Sequence, residues 1–423
     1  MFTIDIALDG FRRIPSSVMI AIHEARQVVI DACMVLIPQV TPYGDMTGRV
    51  LAQDVVATEN VPPFANSAVD GYAVRAVDVS TVPCELRVIG TLAAGAAPTF
   101  TLNAGEAVQI MTGAPIPAGA DSVVMVEDSE KIGSDRVRLT RVAKQMGAIR
   151  DEASDVRVGD VVFVSGAVLN AAGAGVLASI NARNVLAYPR ARVAMLSTGD
   201  ELITDGSPLM PGQIRESNLT VLVAMIEATG CEVINLGIIA DDEALLEKTL
   251  REVSLRCDAI VTSGGVSMGE FDIVKAVLSR IAKMNWMQMA IKPAKPFAFG
   301  QLLTADGRTI PIFGLPGNPV SSIISYELLA RPALRKMMGH TRDLLRPAVL
   351  AIVDAPLKRK VDGKIHYMRV FGSFAKDGRL HVRDTGPQAS HQLAATAMAN
   401  GLAEVPDGNG IAAGSEVNVM LWV

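Results

Sequence analysis

Aromatic side chains, cysteines and surplus basic charge are all scarce in this chain. Phe, Trp and Tyr make up 4% of its 423 residues. Its 39 Lys and Arg are outnumbered by 44 Asp and Glu, for a net charge of −5. Broad, sequence-independent DNA binding needs a basic face to neutralise phosphates, so that class is excluded. A small anionic ligand is not, because it needs only a local positive pocket. The four cysteines, Cys33, Cys84, Cys231 and Cys257, lie far apart with no CxxC pair. That spacing excludes a disulfide framework and a zinc ribbon, and it fits free thiols in a reducing cytosol. The five histidines form no HxxxH pair. The first 31 residues carry Asp5, Asp9, Arg12 and Arg13 and lack the pattern of a secretory signal. The longest uncharged stretch, 161–182, is broken by Ser165, Gly166, Asn170, Gly173 and Gly175. It reads as a short strand, a turn and an Ala/Gly-rich helix over about 170–180, not as a membrane span.

Half the residues are hydrophobic and 20% are charged, the balance of a folded chain. At roughly 150 residues per domain, about three domains are expected. Apolar spacing at Val18, Ile22, Ala25 and Val29 predicts a helix over 16–37, with Ser16 and Ser17 as caps. From Val50 to about Val142, short β-like runs punctuated by Gly and Pro predict a small β domain. Over about 188–337, apolar runs (192–196, 233–236, 259–262, 287–291, 310–313) alternate with helical spacing (218–228, 243–253, 273–281, 321–338). That alternation predicts βαβ crossovers and a doubly wound, mostly parallel sheet with helices on both faces. Past Pro347 the strand pattern resumes and predicts a C-terminal β-barrel or sandwich. The expected fold class is therefore multidomain α/β and β. Its division is 1–62 plus 151–187, 63–150, 188–337 and 338–423.

Four loops stand out, each following an apolar run of the α/β segment. They are Ser197-Thr198-Gly199-Asp200-Glu201, Ser263 to Glu270, Lys292-Pro293-Ala294-Lys295-Pro296 and Gly314 to Ser321. Parallel strands would gather all four at one edge, where open α/β sheets bind ligands. Ser263-Gly264-Gly265 offers backbone N–H groups, and Gly317-Asn318-Pro319-Val320-Ser321 opens a helix. Lys292 and Lys295 bring positive charge on a loop stiffened by two prolines. Asp200, Glu201, Asp241, Asp242 and Asp272 bring oxygens suited to Mg²⁺. Together these point to a phosphate or phosphoanhydride substrate. Each feature alone has a plainer reading: a Gly-rich turn, solvated lysines, or helix capping by Asp241-Asp242. Two loops outside this segment, Pro62 to Ala73 and Ile110 to Pro117, read as ordered binding loops, with a tight β turn as the alternative for the second. Two strings are set aside. Gly173-Ala174-Gly175-Val176-Leu177-Ala178 matches a dinucleotide fingerprint but does not follow a strand directly, so it reads as helix packing. Lys358-Arg359-Lys360 reads as an exposed hairpin end.

In these motifs the chain resembles the molybdopterin molybdenumtransferases of the bacterial MoeA family, related to the E domains of gephyrin and of the plant molybdenum-insertion protein. The matching motifs are Asn66 to Ala73, Met111 to Pro115, Ser197 to Leu202, Ser263 to Ser267, Ile291 to Pro296 and Leu315 to Ser321. They occur in the family's order and cover about 60–395. The resemblance implies a molybdopterin-binding, MogA-like central domain and an elongated homodimer of four-domain subunits. It implies conversion of adenylylated molybdopterin to molybdenum cofactor, dependent on Mg²⁺ and molybdate, with release of AMP. The upstream molybdopterin adenylyltransferase becomes a partner, the compartment is the cytoplasm, and neither nucleic acid nor membrane is involved.

Carried over by position, the resemblance implies catalytic roles for Asp70, Asp155, Glu201, Asp272, Lys292 and Lys295, with Asp70 and Asp155 reaching in from the second subunit. It implies metal binding by Glu201, Asp241 and Asp272. Substrate contacts fall to Ser67, Thr112, Thr198, Gly199, Asp200, Ser263, Gly264, Gly265, Ser267, Pro316, Gly317, Asn318, Pro319 and Ser321. Arg369 and Ser390 are implied oxyanion contacts. One segment departs from the family pattern: Arg150-Asp151-Glu152-Ala153-Ser154-Asp155 keeps the aspartate but replaces positive charge by negative and Gly by Ala. The alternatives are a non-catalytic molybdopterin-binding scaffold, a tungsten-handling homologue, or a different nucleotide-phosphate hydrolase on the same α/β domain.

Overall fold

The computed structural model describes residues 13–15, 18–265 and 273–422. The chain divides into two compact units, one of residues up to 39, 48–50 and from 188 onward, the other of residues 40–47 and 51–187.

The first unit is built on a seven-stranded sheet. Its order is Met19–Ile20, Ala282–Met289, Pro296–Leu303, Thr309–Leu315, Ala259–Ser263, Arg192–Thr198, Glu232–Ile239. Every neighbouring pair is parallel except the two that involve Pro296–Leu303. The alternation of strand side chains sorts the core into two layers. From Arg192–Thr198, Val193 and Met195 face one layer while Ala194 and Leu196 face the other. The first layer takes Ala25 and Val29 from the helix Ile22–Ala32, Leu222 and Ile226 from Asn218–Ala228, and Ile324 and Leu334 from the long helical stretch 319–337. The second takes Leu246 and Leu250 from Glu243–Ser254, and Val274 and Leu278 from Ile273–Ile281. The sheet is doubly wound, as the alternating periods predict.

Three elements differ from the sequence reading. The helix predicted over 16–37 spans only Ile22–Ala32, because Met19–Ile20 joins the sheet edge beside Ala282–Met289; Ser16 and Ser17 lie outside the described residues. This places 19–39 with the α/β sheet and not with 151–187. The apolar run 287–291 spans the end of the longer strand Ala282–Met289 and the start of the short strand Ile291–Lys292, and Pro296–Leu303 is an antiparallel strand that the βαβ pattern hid. The final helical stretch is continuous but widens to π form over Tyr326–Ala330.

The C-terminal strands Ile365–Phe374, Leu380–Asp384, Ala348–Val353, Glu416–Leu421 and Gly401–Val405 pair in that order, and the last pairs back to the first. The ring is a closed five-stranded barrel around Ala351, Val370, Val382, Ala403 and Val419. The short strand Ile291–Lys292 adds to it in parallel beside Ile365–His366, stitching the lysine loop of the α/β sheet onto the barrel.

The second unit carries a six-stranded sheet (order Ser122–Met125, Gly71–Val74, Glu106–Ile110, Cys84–Leu92, Arg136–Leu139, Ser129–Ile132). A separate core of Met46, Leu51, Val55, Leu177 and Val185 surrounds the helix Ala171–Ser179. Gly173 lies inside that helix against Leu169, with Asn170 capping its N–H, so the fingerprint-like string is a packing feature. Among the described residues no helix is long and apolar enough to cross a membrane. The four cysteines are free thiols, three of them buried.

Candidate functional site

The strands Arg192–Thr198, Ala259–Ser263, Ala282–Met289 and Thr309–Leu315 run in one direction. Their C-terminal ends therefore share an edge, and the four loops singled out in the sequence leave from it. Gly264, at φ 91°, comes within a Cβ's reach of Thr198: an added Cβ would lie 3.4 Å from the Thr198 carbonyl oxygen and Oγ1. Gly265 is more tightly enclosed, since a Cβ there would overlap Val274 at 2.1 Å. Gly317 packs within a Cβ contact of 3.9 Å to Gly264 Cα. Three glycine-bearing bends thus meet backbone to backbone. Gly199, at φ 141°, lies under the Glu201 carboxylate, whose oxygen would be 2.4 Å from a Cβ at Gly199.

A side chain that the sequence reading passed over holds these bends together. Asn218 Nδ2 donates to Ser263 Oγ and to the Gly317 carbonyl, each at 2.8 Å. Two residues earlier, Glu216 accepts from Ser197 Oγ at 3.0 Å and from the Leu219 amide at 2.9 Å. Nothing in their spacing marks them, because the partners Ser197, Ser263 and Gly317 come from three separate segments of the chain. Asp200 accepts from the Asp241 amide at 3.1 Å, tying those two loops together. Asp242 caps the helix Glu243–Ser254 through the Leu245 amide, so the plainer reading holds for that residue. Glu201 and Asp241 are exposed on these neighbouring loops. Ser267 and Asp272 lie outside the described residues. Among the described residues no three acidic, histidine or cysteine side chains converge as a metal site.

Beside these bends, the lysine loop and the barrel enclose a cavity of about 740 Å³. Lys292, Lys295, Asn318, Ser321 and Ser390 line it, and so do Lys358, Arg359, Lys360 and Lys364. Six cationic residues face a single carboxylate residue, Asp362. Gly317 and Asn318 are consecutive, so one stretch of backbone passes from the glycine bends to the cavity. The Ser390 carbonyl accepts the Val320 amide at 3.2 Å, docking the barrel loop on the start of the helix. That bond uses an amide the sequence reading reserved for an anion. Pro319 has no N–H to offer, and the Ser322 amide returns to the Asn318 carbonyl. The Ser322 hydroxyl donates to the Pro316 carbonyl.

Two expectations change at this cavity. Lys358-Arg359-Lys360 is not an exposed hairpin end. Lys358 pairs with Gly410 in a two-stranded ladder, and the Arg359 side chain is 1% exposed. Its guanidinium donates to the carbonyls of Lys364, Val405 and Pro406 and to the carboxylates of Asp362 and Asp407. Arg369 is not on the cavity wall. It is fully buried, and its guanidinium donates to the carbonyls of Pro387, Gln388 and Ala389. It thereby fixes the loop that carries Ser390, while Lys364 supplies the cavity charge.

In the second unit, the two loops noted separately in the sequence are one structure. The Ser67 amide donates to the Ala114 carbonyl at 3.0 Å, the Gly113 amide donates to the Ser67 carbonyl at 2.8 Å, and Asn66 bridges to Pro115. Asp70 accepts from the Thr112 amide at 2.7 Å and its hydroxyl at 2.8 Å. Those bonds, the amide's first, hold the carboxyl below its ordinary range. Ser67 is buried and its hydroxyl is used within the turn, on the Val69 carbonyl. Asp155 is exposed, and its amide donates to the Val61 carbonyl at 2.9 Å. In the segment that departs from the family pattern, Ala153 takes a left-handed φ of 57°.

A doubly wound α/β sheet with glycine bends and a cationic cavity at its strand ends, joined to a closed barrel, defines a multidomain α/β and β protein whose cavity has the charge to suit an anion. Comparison with known proteins narrows the class. Residues 20–181 match the MoeA N-terminal region (domain I and II), 194–336 a probable molybdopterin binding domain, and 354–422 the MoeA C-terminal region (domain IV). A molybdopterin molybdenumtransferase of Haemophilus influenzae is 37% identical over 90% of this chain and 93% of its own. Molybdopterin molybdenumtransferase 2 of Mycobacterium tuberculosis is 36% identical over 95% and 99%. A solved molybdopterin biosynthesis MoeA protein of Pyrococcus horikoshii superposes with a TM-score of 0.74 at 27% identity, covering 96% of this chain and all of that one. The chain belongs to the MoeA family of molybdopterin molybdenumtransferases.

Proposed function

We propose that the chain inserts molybdenum into adenylylated molybdopterin, forming molybdenum cofactor and releasing AMP in a Mg²⁺-dependent reaction. Family membership supports the transferase activity. The observation that carries the finer reading is the cationic cavity at the same strand edge as the glycine bends, joined to them through Gly317 and Asn318.

In this reading Lys292, Lys295 and Lys364 offset the charge of molybdate, which is a substrate, and Ser321 and Ser390 donate hydroxyl hydrogen bonds to its oxygens. The backbone of Thr198 to Asp200, Ser263 to Gly265 and Pro316 to Pro319 holds the pterin nucleotide. Charge that develops as the phosphoanhydride opens is met by donors already fixed in place, with Asn218 keeping the bends in register. Glu201, Asp241 and Asp272 would hold Mg²⁺, which supplies positive charge to the phosphoanhydride oxygens when bound. Asp70 and Asp155 serve the site of a second copy of the chain in a cytoplasmic homodimer. The upstream molybdopterin adenylyltransferase delivers the substrate.

AMP release from adenylylated molybdopterin tests this, measured with and without molybdate and with and without Mg²⁺. Release stimulated by both supports the reading. Release indifferent to molybdate refutes it and favours a hydrolase of the phosphoanhydride, while no release refutes it and favours a scaffold that binds molybdopterin without converting it.

A further inference from the structure

The cavity wall contains one imidazole among its lysines. His366 lies on Ile365–Phe374, lines the cavity and is 9% exposed. Its Nε2 lies 3.0 and 3.2 Å from the two Asp362 oxygens. An ionised carboxylate only accepts, so Nε2 carries a proton there. In the neutral ring Nδ1 is then an acceptor, and in the cation it becomes a donor. An acceptor suits an oxyanion poorly, whereas a donor suits it well.

The surroundings decide which form is present. On its own strand and the preceding loop, His366 neighbours Asp362, Lys364 and Arg359. Across the parallel pair its register partner is Lys292. Lys295, Lys358 and Lys360 complete the cationic wall. On the other side, its partner in Gly401–Val405 is Val405, followed along that strand by Glu404 opposite Tyr367. Asp407 lies beyond, engaged with Arg359. Burial holds the imidazole below its ordinary value, Arg359 and Lys292 act the same way, and Asp362 opposes them. A dianion entering the cavity reverses that balance, because it offsets the lysines and attracts a proton.

We propose that His366 is the proton-carrying contact of this cavity: an oxyanion binds together with one proton, held on Nδ1 toward the anion, while Nε2–H stays on Asp362. The proton comes from bulk water, and no bond other than N–H forms. This rests on reading the cavity as the molybdate site. It adds that oxyanion affinity is coupled to pH through one residue.

Calorimetric titration of the full-length chain with molybdate at pH 6, 7 and 8, each in two buffers of different ionisation heat, tests it. Molybdate itself does not titrate in that range. The expected result is uptake approaching one proton per anion and a Kd that rises by up to about tenfold per pH unit. In His366→Gln both should vanish while molybdate still binds. A ¹⁵N spectrum of the imidazoles, with and without molybdate, reads the same protonation in the unmutated chain and serves if the variant does not fold. Binding with no proton uptake, or uptake that persists in His366→Gln, overturns the inference and leaves the cavity reading standing. No molybdate binding at any pH overturns both.

Discussion

Replacing Arg359 by Met removes one side chain and unties the wall of the cavity. In the native chain, Nη1 lies 2.6 Å from the Lys364 carbonyl, 2.9 Å from that of Pro406 and 3.2 Å from that of Val405. Nη2 reaches the Asp362 carboxylate at 2.8 Å and also that of Asp407. Met fills similar volume but leaves those carbonyls without a donor, at about 1 kcal/mol each. The two carboxylates lose less than a buried pair would, because Asp362 is 31% and Asp407 40% exposed. The total expected loss is roughly 3–5 kcal/mol, in the range for breaking a buried charged cluster from one side. Lys at this position keeps the charge but not the fork, and should recover only part of it. Denaturant unfolding measures the loss, and amide exchange localises it to 359–366. The same loop carries Lys360, Asp362 and Lys364, so molybdate binding should weaken alongside. A variant within about 1 kcal/mol of the parent, with unchanged exchange in that loop, would refute the assignment of Arg359 as the buried tie.

Three further outcomes follow from the same geometry. Lys364→Met should weaken molybdate binding by roughly 10- to 100-fold, the worth of one charge-assisted contact, whereas Arg369→Met should first lower thermal stability. Titration and melting curves of the two variants separate these roles. Ala153→Gly should stabilise the chain by about 1 kcal/mol, because a left-handed backbone strains any residue with a Cβ; an unchanged or lower melting temperature would count against strain at that φ. His340 is held down to about 4 by burial, with Arg335 and Arg331 adding to it. The native chain therefore refuses a proton that the unfolded chain accepts at about 6.5. Stability should fall as pH drops from about 6.5 toward 4, by at most about 3 kcal/mol. His340→Gln should flatten that slope in pH-dependent unfolding.

What the sequence determined by itself was periodicity and punctuation. The switch to alternating strand and helix over 188–337 required a doubly wound sheet, and that forced the bends at Thr198, Ser263 and Gly317 to one edge. Three of the six motifs that carried the family resemblance are those bends, so the family was legible before any coordinates. Tertiary structure alone decided which charges share a cavity. Ile291–Lys292 adds to a barrel strand more than 70 residues later, and its register sets Lys292 beside His366. Pairing across such separations leaves no local trace, because strand partners are chosen by packing and not by neighbours in sequence. For the same reason Lys358-Arg359-Lys360 looked like a solvated turn, while the fold divides it into one buried tie and two cavity lysines. Asn218 and Arg369 carry the same lesson. Their roles lie in the carbonyls and hydroxyls they reach, and a sequence does not display where its own backbone will pass.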